Sequence, residues 1–274
     1  MNIDTTAAAE FQAFERTGWQ TAASPYHDFF ESLTTQTLDA LLDAVGTTQG
    51  TRLLDLATGP GYAAAAAARR GAVPVGVDLS SSMVALARGR HPGLTFQEAD
   101  AEQLPFPDGS FDAVVCNFGL LHMGRPEQAL TEARRVLRRG GRVGFAVWAL
   151  PEKTVGFGMI LDAIREHGTL EAPLPPGPPF FRFSDPEECQ RILRGAGFTD
   201  TKVAEVPQVW KLPSTDVLFD AMYTGTVRTG GLLRAQSKEA QEAIRAALRR
   251  AGERYRVGTG IELPMPAVLA TAVS

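Results

Sequence analysis

Cysteine, histidine and long apolar runs are all scarce in this chain, and each scarcity excludes something. Its 274 residues hold two cysteines, Cys116 and Cys189. They allow one bridge at most, so no disulfide framework is implied and free thiols in a reducing compartment are expected. Of the four histidines, His27, His91 and His167 have no acid or cysteine at metal-ligand spacing, and no metal site is expected. No apolar stretch approaches the ~20 residues that span a bilayer. Met1 to Trp19 lacks the basic patch and apolar stretch of a secretory signal. A cytoplasmic protein without a membrane span is the expectation. The formal net charge of -4 gives no reason to expect nucleic acid or an anionic membrane as a partner.

What is present is a globular balance, with 44% hydrophobic and 21% charged residues, enough to bury a sizeable core. Residues 1–50 read as a helical cap: Phe29, Phe30 and Leu33 share a face, and Leu38, Leu41, Leu42 and Val45 continue it until Gly46 and Gly50. Short apolar runs then alternate with helical stretches. The runs are Arg52–Ala57, Val73–Leu79, Leu94–Ala99, Phe111–Phe118 and Arg142–Ala149. The helices between them are Gly61–Arg70, Ser81–Arg90 and Glu127–Arg139, the last ended by Gly140–Gly141. Strands apolar on both faces, alternating with helices, predict a parallel sheet layered by helices, a Rossmann-like α/β fold.

Beyond Pro151 the texture changes. Thr154–His167 and Pro186–Ala196 read as helices, the second capped by Ser184 or Asp185. Between them Ala172–Pro179 holds five prolines and one glycine and reads as an extended loop. Thr201–Leu212 reads as a strand, Asp216–Tyr255 as mostly helical and Pro266–Val273 as a last strand. One structural domain is expected, with a ligand-binding core over 51–150 and lid insertions within 151–274.

The segment that carries chemistry is Leu53-Leu54-Asp55-Leu56-Ala57-Thr58-Gly59-Pro60-Gly61-Tyr62. It joins the first strand to the first helix, at the strand edge where open α/β sheets bind ligands. Gly59 and Gly61 let a ligand lie close to the backbone. Residues 59–64 fit G-x-G-x-x-A, with Asp78 standing 17 residues after Gly61, so a dinucleotide oxidoreductase is one reading. A pyrophosphate would sit badly beside Asp55, whereas a cationic ligand end such as the ammonium of a methionine moiety would suit it. No tyrosine and lysine stand at helical spacing for hydride transfer, and Lys153, Lys202, Lys211 and Lys238 all lie outside the first half of the sheet.

Several blocks in order carry a resemblance. They are Asp55 to Gly61; Gly76-Val77-Asp78-Leu79-Ser80 followed by Met83; Ala99-Asp100-Ala101-Glu102-Gln103-Leu104-Pro105-Phe106; and Ser110 to Val115 running through Cys116-Asn117-Phe118-Gly119-Leu120-Leu121-His122. Arg134 to Gly141 and Val143 to Trp148 complete the set. Residues 51–149 resemble the class I S-adenosylmethionine-dependent methyltransferases, in the branch of the ubiquinone/menaquinone methyltransferases (methyltransferase type 11). The resemblance implies a seven-stranded sheet in the order 3-2-1-4-5-7-6 with its last strand antiparallel. It also implies S-adenosyl-L-methionine as cofactor, with S-adenosyl-L-homocysteine as product.

The cofactor residues implied are Asp55, Ala57, Thr58, Gly59, Gly61, Asp78, Leu79, Met83, Asp100, Ala101, Glu102, Asn117 and Phe118, with Tyr26 reaching in from the cap. Asp78 would accept from both ribose hydroxyls, Asp100 from the adenine amino group, and the Ala101 N–H would donate to the ring. The family often has glycine where this chain has Ala57. Bland readings stay open beside these: a turn or helix-cap role for the aspartates, a core role for Met83, and packing of Trp19, Tyr26, Phe29 and Phe30 on the sheet. Asp112 reads as structural.

His122 could act as a general base toward a hydroxyl or phenol, or hold a loop by hydrogen bonding. Phe180, Phe181, Phe183, Trp210, Phe219, Met222 and Tyr223 are divided between substrate pocket and core. The expected activity is methyl transfer to O, N or C of a small, partly apolar metabolite. A silent S-adenosylmethionine-binding protein is a further alternative. Monomer and homodimer are both open.

Overall fold

The structure, a computed structural model, describes residues 4–274; the first three residues of the expected helical cap lie outside them. The cap begins with helix α1 (Thr5–Thr34), whose Asp4 side chain accepts from the Thr6 and Ala7 N–H groups. A 3-10 turn at Thr35–Thr37 leads into α2 (Leu38–Ala44), and Gly46, at φ +72°, ends it. Then follow β1 (Arg52–Leu56), α3 (Tyr62–Arg69), β2 (Val73–Asp78), α4 (Ser81–Arg90), β3 (Thr95–Glu98), β4 (Phe111–Asn117), α5 (Pro126–Val136) and β5 (Leu137–Trp148). The last third holds α6 (Val155–His167), α7 (Pro186–Gly195), β6 (Thr199–Val206), β7 (Val209–Leu212), α8 (Thr215–Gly225), α9 (Arg228–Arg234), α10 (Lys238–Gly252), β8 (Arg256–Val257), β9 (Gly260–Pro264) and β10 (Ala267–Val273).

The main sheet has the order β3-β2-β1-β4-β5-β10-β6. The first five strands are parallel, and β10 is antiparallel to both neighbours. With β10 as the seventh strand, this is the order expected. Alternation along each strand divides the core. Leu53, Ala113 and Val115 face α2 and α3, while Leu54, Leu56, Val114 and Cys116 face the larger cluster that holds α5, α6 and α7. Both cysteines are free and buried, as expected. Among the described residues, no helix is long and apolar enough to cross a membrane.

Two expectations need correction. Glu127–Arg139 is not one helix: α5 ends at Val136, and β5 begins at Leu137, which pairs with Phe111. The cause lies across the sheet, because Asp112 accepts from Arg138 Nε at 2.6 Å and a bulge between Phe111 and Ala113 draws the chain into the sheet early. Thr201–Leu212 is not one strand. Pro207 brings no N–H to a ladder, and the chain switches there from the main sheet to a second sheet, β7-β9-β8. That small sheet was not foreseen. Of the two caps expected for α7, Asp185 takes the place, accepting from the Glu187 N–H.

The small sheet anchors the cap. Gln208 Nε2 donates to the Leu33 carbonyl at 2.7 Å, and Trp210 Nε1 donates to the Phe29 carbonyl at 3.2 Å. Helix α1 packs on α8 and α4, so it joins the last third of the chain to the strand–helix core.

Candidate functional site

The loop after β1 is built around Asp55. Its Oδ2 accepts from the Thr58 hydroxyl at 2.6 Å and from the Ala64 N–H, in the first turn of α3, at 3.0 Å. The Thr58 N–H donates to the Val77 carbonyl at 2.9 Å, pinning the loop to β2. Ala57, Gly59 and Gly61 all have left-handed backbone, with φ of +50°, +53° and +85°. Glycine suits such positions, and Ala57 holds one with a side chain in place. Asp55 is 1% exposed, and burial pushes its carboxyl up to about 7 against the two bonds it accepts.

Asp78 ends β2 beside this loop. Its Oδ2 accepts from the Gly59 N–H at 2.8 Å and its Oδ1 from the Ser80 N–H at 2.9 Å. Burial raises it to about 6, even with these bonds. Asp100 follows β3; its Oδ1 accepts from the Glu102 N–H and its Oδ2 from Gln12 Nε2, both at 2.8 Å. Glu102 is buried and bound by the Arg125 N–H and Nε, each at 2.7 Å. At the end of β4, Asn117 accepts from the Thr37 hydroxyl and donates to the Thr34 carbonyl, tying the sheet to the cap. Phe118 is also left-handed, at φ +57°, and its ring stacks on Trp148 with centroids 4.0 Å apart.

These residues surround one cavity at the carboxyl ends of the central strands. With the open mouth included, it takes in about 1030 Å³. Of the residues expected to bind a ligand, Ala57, Gly59, Asp78, Leu79, Met83, Asp100, Ala101, Glu102, Asn117, Phe118 and Tyr26 line it. So does His122, on the short turn Leu120–His122. Asp55, Thr58 and Gly61 do not. The Asp55 Oδ2 is engaged inside its own loop, by Thr58 and Ala64, as a turn and helix-cap aspartate would be. Tyr26 stacks on Phe30 at 5.2 Å, edge-on to Trp19 at 5.3 Å, and burial pushes its phenol up to about 12. Asp112 lies outside the cavity, gripped by Arg52 and Arg138.

The cap and the last third of the chain add walls that the reading of the sequence missed. Gln12 and Glu15 come from α1, Trp148 from β5, Phe157 from α6, and Arg228 and Thr229 from α9. Phe180, which that reading left between pocket and core, is also a wall. Glu15 had a signal: Ala8, Phe11, Glu15 and Ala22 are all buried on α1, so an acid stands on the apolar face of a helix. Arg228 had none. Its Nη1 donates to the Pro178 carbonyl, and its guanidinium lies 5.2 Å from the Phe11 ring and 5.4 Å from the Phe180 ring. A second, apolar cavity that includes Phe14, Leu161, Leu174 and Leu232 shares Phe157, Phe180, Arg228 and Thr229 with the first.

Sheet order, glycine turn and acid-lined cavity together define a doubly wound, Rossmann-like α/β protein with its cavity at the carboxyl edge of the sheet. Comparison with known proteins narrows the class. Residues 54–145 match the family described as a methyltransferase domain. The demethylmenaquinone methyltransferase of Beutenbergia cavernae is 46% identical over 112 residues, 41% of this chain and 47% of that protein. The chain thus spans about half the length of these curated relatives. An uncharacterised protein of Mycobacterium bovis is 33% identical over 211 residues, covering 74% of each chain. A Haemonchus contortus phosphoethanolamine N-methyltransferase 2, solved in complex with S-adenosyl-L-methionine, superposes with a TM-score of 0.57. That pair shares 21% identity, over 96% of this chain and 60% of the other. Residues 54–145 are a methyltransferase domain similar to that of the menaquinone methyltransferases, on the fold of the class I S-adenosylmethionine-dependent methyltransferases.

Proposed function

We propose that the chain binds S-adenosyl-L-methionine at the ends of β1 to β4 and passes its methyl group to a small, partly apolar acceptor, releasing S-adenosyl-L-homocysteine. The carrying observation is the Asp78 carboxylate. It faces the cavity with one backbone N–H on each oxygen, which leaves lone pairs on both. A vicinal pair of ribose hydroxyls is the donor set that matches them.

The other walls fit the same ligand. Leu79, Met83, Ala99 and Phe118 offer apolar faces to a flat base. Asp100 Oδ2 accepts from an amide nitrogen, Gln12 Nε2, and an exocyclic amino group is the same kind of donor. Asp55, Thr58 and Gly61 act from behind, by holding Ala57 and Gly59 in the backbone form that leaves room for the ligand.

The bound sulfonium supplies an already activated leaving group. The protein's part is then to align the acceptor, and positioning of this kind contributes ~7–11 kcal/mol. We assign the acceptor side to Trp148, Phe157, Phe180 and Arg228, with α1, the 151–185 segment and α8–α10 as the lid that keeps water out. The apolar part of the acceptor has room in the second cavity.

Isothermal titration with S-adenosylmethionine, S-adenosylhomocysteine and NADH tests the reading. The first two should bind and NADH should not. Asp78→Asn should weaken S-adenosylmethionine by ten- to a hundredfold, about 1.5–3 kcal/mol for charge-assisted bonds. Binding of NADH with no response to the sulfonium would sink the proposal. A methyl-labelled donor offered with phenols, amines and quinone precursors then separates an enzyme from a silent binding protein.

A further inference from the structure

Glu15 is the least exposed acid in the cavity wall, at 1%. Helix α1 brings it to a histidine 107 residues away: its Oε2 stands 3.0 Å from His122 Nδ1. Its other oxygen, Oε1, is buried with no hydrogen-bond partner among the described residues. A buried carboxylate costs several kcal/mol unless it is paired. A helix that needed only to seal the sheet would carry leucine there. A half-satisfied acid in a cavity wall calls for another explanation.

The pair sets the chemistry of the ring. A carboxylate on Nδ1 holds the neutral imidazole in its Nδ1–H form, donating to Glu15. The lone pair is then on Nε2, which no group bonds among the described residues. His122 lines the cavity with its side chain 18% exposed. Trp19 meets the ring edge-on at 4.9 Å and Phe180 at 5.9 Å, so it cannot easily turn away. Aromatic walls, Trp148 and Phe157 among them, complete the space in front of it. The charged groups sharing this cavity are Glu15 from α1, Asp78 from β2, Asp100 and Glu102 after β3, and Arg228 from α9. Glu102 is already paired with Arg125.

We propose that His122 takes the proton from a hydroxyl-bearing aromatic acceptor, and that Glu15 is its positioning residue. The proposal rests on the methyl-transfer reading above. The acceptor oxygen bonds the methyl carbon as the carbon–sulfur bond breaks, and that bond's electron pair stays on sulfur as a neutral thioether. The hydroxyl proton moves to Nε2. The imidazolium is held against Glu15 and returns its proton to water after the product leaves. A neutral amine acceptor needs no such base during transfer, so a buried acid–imidazole pair favours a hydroxyl.

The test uses the full chain, a labelled methyl donor, and 1-naphthol, its methyl ether and benzylamine as probes. Label should reach 1-naphthol, with kcat falling on the acid side. His122→Asn should cut kcat by on the order of 10²–10³. Glu15→Gln keeps the shape but removes the charge; it should lower kcat and move the acid limb to lower pH, with donor KM unchanged. Glu15→Asp should restore part of the rate. Nitrogen-15 spectra of the protein loaded with S-adenosylhomocysteine supply a reading without turnover. The His122 ring should show the Nδ1–H form and shift with 1-naphthol but not with the ether. Label on benzylamine alone, an unchanged pH profile in Glu15→Gln, or His122 signals unmoved by 1-naphthol would overturn the proposal. Failure of S-adenosylhomocysteine to bind strikes the methyl-transfer reading instead.

Discussion

Ala57 and Phe118 hold left-handed backbone that L side chains avoid, at a cost of order 1–3 kcal/mol each, and both line the same cavity. Strain concentrated on one wall is what a ligand site produces when a strand must turn sharply beneath it. Beside them, Asp55 shows how one residue can hold a loop together. Its carboxyl stands near 7 in the fold against an ordinary 3.8, because burial outweighs its bonds to Thr58 and Ala64. The folded chain therefore holds that proton more tightly than the unfolded chain, and this contribution to stability is lost as pH rises from about 4 to about 7. Asp55→Asn can still accept through one oxygen and does not ionise. Thermal unfolding should show little gain for the variant at pH 4 and a clear rise in Tm over the wild type at pH 8. A difference that stays flat across that range would rule out the buried charge as its cause.

Among the elements, the β1–α3 turn is held both by its backbone and by its neighbours. Gly61 sits at φ +85°, and a Cβ there would come within 2.8 Å of Phe96 Cζ and 2.9 Å of His91 Cδ2. Gly61→Ala meets both penalties and should lose about 1–3 kcal/mol by urea unfolding. Gly89, inside α4, has nothing within 4 Å of the same atom. Gly89→Ala should be neutral or stabilising by up to about 1 kcal/mol, which makes it the control. The strands and helices of the first half were legible in the chain because each obeys its own period. The α5–β5 junction was not, because Arg138 is pulled to Asp112 across 26 residues and no local pattern records that. The break at Pro207 was written in the sequence, and the missing N–H there was the signal.

For the whole molecule, the decisive piece is the long first helix. It closes against α8 and the start of α9 with so little clearance that a Cβ on Gly18 would lie 2.4 Å from Val227 Cγ1. Gly18→Ala should lift the helix, costing about 1–3 kcal/mol as overpacking does. Limited proteolysis should then cut within α1 faster, and Val227→Ala in the same chain should restore protection. Uniform protection in the single variant would show that the cover tolerates the crowding elsewhere. The sequence alone determined the glycine turn and the acids at successive strand ends, because these lie in short segments whose spacing is itself the signal; the strand order followed from the family resemblance those segments carry. Only the tertiary structure decided which face of α1 meets the cavity, and so brought Gln12 to Asp100 and Glu15 to His122. Those contacts join residues 88 and 107 positions apart, and what selects them is the packing of a helix against a sheet, which no local spacing encodes.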